Sequence, residues 1–164
     1  MTNDITHYQD LINDLNKQKP SSETAQKWIK LAKKWHKNQR LEKVILCYSK
    51  AFEYFKTEQM GIKASEIAIL IGHAHRELGH NRDTRRWYQQ ALTQSEVPDK
   101  QNQQTALCYF HLATLAQQTW NLSIAINQYE KSKEIYNQLN LKDHVNALEE
   151  KINHLHEKSK TFKK

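Results

Sequence analysis

Glycine occurs three times and proline twice in the 164 residues. That scarcity excludes a sheet protein, whose many turns draw on both residue types. It also leaves no glycine-rich loop for a phosphate and little room for a strained catalytic turn. Cysteine is as sparse: Cys47 and Cys108 stand far apart, each inside a helical pattern. Such isolated residues offer neither the paired spacing of a zinc site nor a disulfide framework, and they read as small buried apolar groups of a reducing compartment. No stretch approaches the roughly 18 consecutive apolar residues of a membrane span. The first seven residues, Met1 to His7, lack the basic-then-apolar order of a secretory signal. A cytoplasmic location with no membrane partner is therefore expected. No nucleophile, base and acid fall into a recognisable arrangement, so the expectation is a non-enzyme with no catalytic residue, no metal ligand and no cofactor.

What is present is the composition of long helices, dominated by Lys, Gln, Glu, Leu and Ala. Apolar residues make up 38% of the chain and the mean hydropathy is -0.90, which suits a thin structure whose helices each keep one wet face. The length fits one domain, 1–164. The net charge of +7 is unevenly spread. Residues 21–60 carry nine Lys/Arg against four Asp/Glu, so one region is basic and the molecule as a whole is not.

Apolar groups at Ile5, Tyr8, Leu11, Ile12 and Leu15 form one stripe on a helix over 4–17, with Asp4, Asp10 and Asp14 on its wet side. The run Lys19-Pro20-Ser21-Ser22 ends that helix, and a serine before Glu23 starts the next. Three segments then fall into register. Trp28 is followed by Leu31, Ala32, Trp35, Val44, Tyr48 and Ala51; Ala68 by Ile71, Gly72, His75, Thr84, Tyr88 and Ala91; Tyr109 by Leu112, Ala113, Ala116, Ala125, Tyr129 and Ser132. In each row the offsets from the first residue are 3, 4, 7, 16, 20 and 23. A small residue at offset 4 lets the second helix of a pair approach. The aromatic at offset 20 fills the space toward the next pair, and the small residue at offset 23 lets repeats stack.

These rows resemble the tetratricopeptide repeat (TPR), with its W-x2-L-G-x2-Y, A-x3-F and small-residue pattern. Val44 and Thr84 replace the usual alanine, and Trp120 stands where glycine often turns the chain. Row spacings of 40 and 41 residues exceed the about 34 of the common repeat. The extra residues fall at 55–63 and at Val97 to Lys100, as in the longer variety found in kinesin light chains and bacterial peptide-sensing regulators. The resemblance implies an all-α, right-handed solenoid. Its parts are a leader helix (4–17), three hairpins (24–58, 64–97 and 102–139), a capping helix (143–158) carrying Val145, Leu148, Ile152 and Leu155, and a basic tail (159–164).

In that family the first helix of each pair lines a concave groove, and such scaffolds mainly bind other proteins. The resemblance thus places Ile29, Lys33, His36 and Lys37, then Ile69, His73 and Arg76, then Phe110, Thr114 and Gln117 along one trough. It is mixed apolar and basic, and suits a protein or peptide segment of acidic character. The competing reading packs Ile69 and Phe110 against the terminal helices, which would fill the trough. The family's carboxylate clamp wants Lys then Asn where Ile29 and Lys33 stand, so that ligand is not implied. His36, His73 and His111 lie on successive first helices and can approach one another, more simply as groove-lining polar groups than as metal ligands. His73 with His75, and His154 with His156, point to different helix faces and do not chelate as pairs. Two other classes of function stay open. The lysines of 27–43, interleaved with Trp28 and Trp35, could contact nucleic acid through phosphates. The terminal helices could form a homodimer, with Val145, Leu148, Ile152 and Leu155 pairing across a two-fold axis.

Overall fold

A computed structural model of the chain describes residues 2–96 and 102–161, with the side chains of 2–6, 8 and 161 left out of that description. Among the described residues there are eight α-helices and no strand: α1 (Thr2–Lys17), α2 (Ser22–Lys37), α3 (Leu41–Thr57), α4 (Gly61–Glu77), α5 (Asn81–Ser95), α6 (Gln103–Gln118), α7 (Leu122–Gln138) and α8 (Lys142–Thr161). Each packs on its neighbours in sequence, and α4 also touches α6. The result is the all-α solenoid expected, three hairpins between a leader and a cap. No helix among the described residues is long and apolar enough to cross a membrane.

The helices are joined in two ways. At Gln39, Gln59, Gly79, Trp120 and Asn140 the backbone is left-handed, with φ between 54° and 75°. In each case the N–H of that residue donates to the carbonyl three residues back, and the next N–H donates to the carbonyl five back. Arg40 to Trp35, Met60 to Phe55, His80 to His75, Asn121 to Ala116 and Leu141 to Tyr136 span 2.8–3.1 Å. This is the Schellman arrangement, which satisfies helix-end carbonyls without side chains. Only Gly79 takes it freely; a side-chain-bearing residue such as Trp120 gives up about 1 kcal/mol to stand there. The other two junctions use side chains. Ser21 accepts from the Thr24 amide at 3.0 Å, and the Thr24 hydroxyl donates to the Lys19 carbonyl at 3.1 Å. Asn102 accepts from the Thr105 amide at 3.0 Å and donates to the Ser95 carbonyl at 2.8 Å, which also receives the Thr105 hydroxyl at 3.2 Å. Segment 55–63 forms the end of α3, the Gln59 turn and the start of α4, whereas Val97 to Lys100 lies outside the described residues.

Two apolar cores follow. The first gathers Ile12, Leu15, Trp28, Trp35, Phe52, Phe55, Ile71 and Tyr88 with the small residues between them. The second gathers Ala106, Ala113, Ala116, Ala125, Tyr129, Ile135 and Tyr136 with the apolar face of α8. Most residues of the three rows are buried; His75, Tyr109 and Leu112 are half-buried. A Cβ added at Gly72 would lie 2.5 Å from the Tyr88 ring, so the glycine is there for close helix approach. Both cysteines are buried and free; burial pushes the Cys47 thiol up to about 12 and raises that of Cys108, so neither is a ready thiolate.

The expectation of a homodimer seam on the last helix needs correction. Leu148, Ile152 and Leu155 are 1–3% exposed and, with Val145 packed beside them, already complete the second core. Using them for a second copy would uncover that core. The side chains of Asp4, Ile5 and Tyr8, and residues 162–164 of the basic tail, lie outside the described residues.

Candidate functional site

The first helices of the three hairpins, α2, α4 and α6, carry the groove positions. Between α2 and α4 runs a cleft of about 420 Å³, lined by Lys33, His36 and Lys37, by Val44 and Tyr48 of α3, and by Leu70, His73, Ala74 and Glu77. Its lining comes from α2, α3 and α4 alone, so neither terminal helix closes it. His36 Nε2 lies 3.1 Å from Glu77 Oε1. Among the described residues Lys33, Lys37 and Arg76 have no ion-pair partner. The cleft is therefore cationic on its α2 wall, through Lys33 and Lys37, and apolar at its base, while its α4 wall carries a single carboxylate, Glu77.

Beyond it the groove continues as an aromatic and imidazole cluster. His73 Nε2 lies 3.5 Å from His111 Nδ1. The His111 ring stacks on Tyr88 with centroids 5.2 Å apart and meets the edge of Phe110 at 5.6 Å. Burial holds the His111 imidazole down to about 3, reinforced by the charges of His73 and Arg76. Burial and then Arg76 also lower His73, with Glu77 opposing. Both rings are neutral at pH 7, so one can donate to the other.

Of the residues placed in the groove by sequence, Lys33, His36, Lys37 and His73 come together in the cleft. Arg76 is half-buried, close enough to act electrostatically on His73 and His111. Ile29 is half-buried against the first core. Ile69 needs correction: it is 5% exposed and belongs to that core. The reason is position, because α4 has α3, α5 and α6 around it, whereas Ile29 and Phe110 sit in the outer hairpins and remain half-buried. Thr114 and Gln117 turn inward: the Tyr129 hydroxyl lies 3.1 Å from Thr114 Oγ1 and donates to Gln117 Oε1 at 3.1 Å. Of the three histidines expected to approach one another, two do so, and His36 is held by Glu77 instead. Glu77 was missed; its signal was a place one residue beyond the row-two equivalent of His36. The nucleic-acid reading loses its aromatic support, since Trp28 and Trp35 are 4% and 1% exposed, and Lys27 is paired with Glu23 at 2.7 Å.

Comparison with known proteins adds the following. Residues 4–122 match the family described as "Uncharacterized protein conserved in bacteria (DUF2225)". No curated protein matches the chain by sequence. Among solved structures it is similar to aspartyl phosphate phosphatase F from Bacillus subtilis, with a TM-score of 0.75 at 16% identity over 97% of this chain and 42% of that one. It is similar to a Rap protein complexed with competence and sporulation factor, with a TM-score of 0.67 at 13% identity over 97% and 44%. With MamA the TM-score is 0.54 at 16% identity over 94% and 87%. These likenesses show the helical-repeat fold, and the chain spans less than half the length of the first two proteins.

Proposed function

We propose that this chain, which belongs to the bacterial DUF2225 family, is a non-catalytic TPR-type adaptor that holds a partner protein's segment in its concave groove. The observation that carries this is the cleft between α2 and α4, where unpaired Lys33 and Lys37 face an apolar base. Unpaired cations beside a half-apolar floor suit a peptide bearing both carboxylates and aliphatic side chains. On this reading residues 24–58, 64–97 and 102–139 are the three repeats, the partner segment is acidic, and the protein works in the cytoplasm with its cysteines reduced. One structural neighbour is a Rap protein in complex with a factor, which agrees with a binding role. The phosphatase named in another is not carried over, since under half of that protein is represented here.

The test is a peptide array of acidic, neutral and basic sequences probed with wild type and with Lys33→Glu/Arg76→Glu. Wild type should select acidic peptides, and the variant should lose them by about tenfold or more, the equivalent of about 1.4 kcal/mol, with an unchanged circular dichroism spectrum. Equal binding by both proteins would overturn the groove reading.

A further inference from the structure

Across the turn between α4 and α5 three ligand-bearing side chains converge. His75 lies in the last turn of α4, His80 immediately precedes α5, and Asp83 lies in the first turn of α5. Each offers a ligand atom, and the three atoms lie within 4.8 Å of one another. We propose that they bind one divalent transition-metal ion, zinc by its ligand chemistry. Two imidazoles and a carboxylate are a known zinc donor set and leave a fourth position for water.

Three observations set this turn apart. The first is its register. The equivalent residues are Trp35, Arg40 and Lys43 in the first hairpin, and Ala116, Asn121 and Ile124 in the third. Neither of those sets can hold a cation. The second is His75 itself, which occupies a place where the other hairpins bury Trp35 and Ala116. Its Nδ1 is buried with no hydrogen-bond partner. The third is Asp83, which stands among Arg82, Arg85 and Arg86 on an open surface hollow yet forms no ion pair among the described residues.

The turn also fixes the ligands' backbone. The His80 N–H donates to the His75 carbonyl at 2.9 Å, and the Thr84 N–H donates back to the His80 carbonyl at 2.9 Å. The Thr84 hydroxyl adds a further bond to that carbonyl at 3.0 Å. Bonds of about 2.0–2.1 Å to a tetrahedral ion place donors about 3.4 Å apart, a closure that side-chain rotation of the exposed His80 and of Asp83 on its open hollow supplies. The neighbouring arginines repel every cation alike. An ion held here must therefore gain from direct nitrogen ligation, which favours zinc over the oxygen-seeking magnesium and calcium.

The test uses the full chain, freed of metal with a chelator and titrated with Zn²⁺ and separately with Mg²⁺ by calorimetry. One zinc per chain is expected, with no heat from magnesium. His80→Ala and Asp83→Asn should each weaken binding by about tenfold or more, while His154→Ala/His156→Ala changes nothing. At a hundredfold excess over Kd, zinc should raise Tm by about 5–10 °C. His80 is exposed, so its replacement leaves the core intact. Absence of zinc binding up to about 100 µM, or equal affinity in wild type and His80→Ala/Asp83→Asn, would overturn the proposal.

Discussion

The second and third hairpins place a tyrosine at the same point of the repeat and use it in opposite ways. The Tyr129 hydroxyl lies between Thr114 and Gln117. The Tyr88 hydroxyl is buried with no partner, and its ring presses on Gly72 and stacks on His111. The positions that serve Tyr129 are groove positions, and in the second hairpin they hold His73 and Arg76. In the third hairpin groove polarity is therefore spent inside the protein. In the second it remains available, and an orphan hydroxyl with a neutral histidine pair is what it leaves behind. One end of the groove is chemically quiet, and the other is poised to respond to charge.

Acid should expose that difference most strongly. An unfolded histidine takes up its proton near 6.5, whereas folded His111 resists until about 3. Its contribution to stability is thus full above pH 6.5 and is lost progressively as pH falls toward 3. Between pH 7 and pH 4 the loss should be about 3 kcal/mol, read from urea midpoints. His111→Gln should remove more than half of that dependence, and a flat wild-type profile would end the argument. Next comes Gly72→Ala. Alanine serves at this place in the other hairpins, as Ala32 and Ala113, both 0% exposed. Against the fixed Tyr88 ring it should cost about 2 kcal/mol, seen as a Tm lower by about 4–8 °C. The smallest effect is a contrast of two deletions. Tyr129→Phe should lose about 1 kcal/mol, while Tyr88→Phe should be neutral or slightly stabilising. Equal losses in denaturant melts would mean that the two hydroxyls do not differ as described.

Much of this is legible in the amino-acid sequence. The offsets from Trp28, Ala68 and Tyr109 located the core because helix pairing imposes a fixed spacing of small and large residues. Gly72 and Ala91 were read correctly as close-contact residues for the same reason. Position along the stack was not legible. Ile69 shares its helix phase with Ile29 and Phe110, yet only a central helix has neighbours on all sides. The direction of polar side chains was hidden too: nothing in the order of residues says that Thr114 and Gln117 turn inward to Tyr129 while Lys33 and Lys37 stay outside. His75, His80 and Asp83 escaped because they span the left-handed Gly79, where helical-face arithmetic stops applying.

The two kinds of junction divide the chain in time as well as in space. From α2 to α5, and again from α6 to α8, every turn closes on the same pair of backbone bonds, so each run is one cooperative length. The turn between the runs is held by the side chains of Asn102 and Thr105 reaching Ser95, and α7 and α8 pack in the second core while Cys108 and Leu115 of α6 reach into the first. Partial opening should begin there, with α6–α8 exchanging amide hydrogens as a block ahead of α2–α5. The cleft from Lys33 to Glu77 lies wholly in the slower block. It can thus keep its shape and its hold on a ligand while the far end of the solenoid breathes.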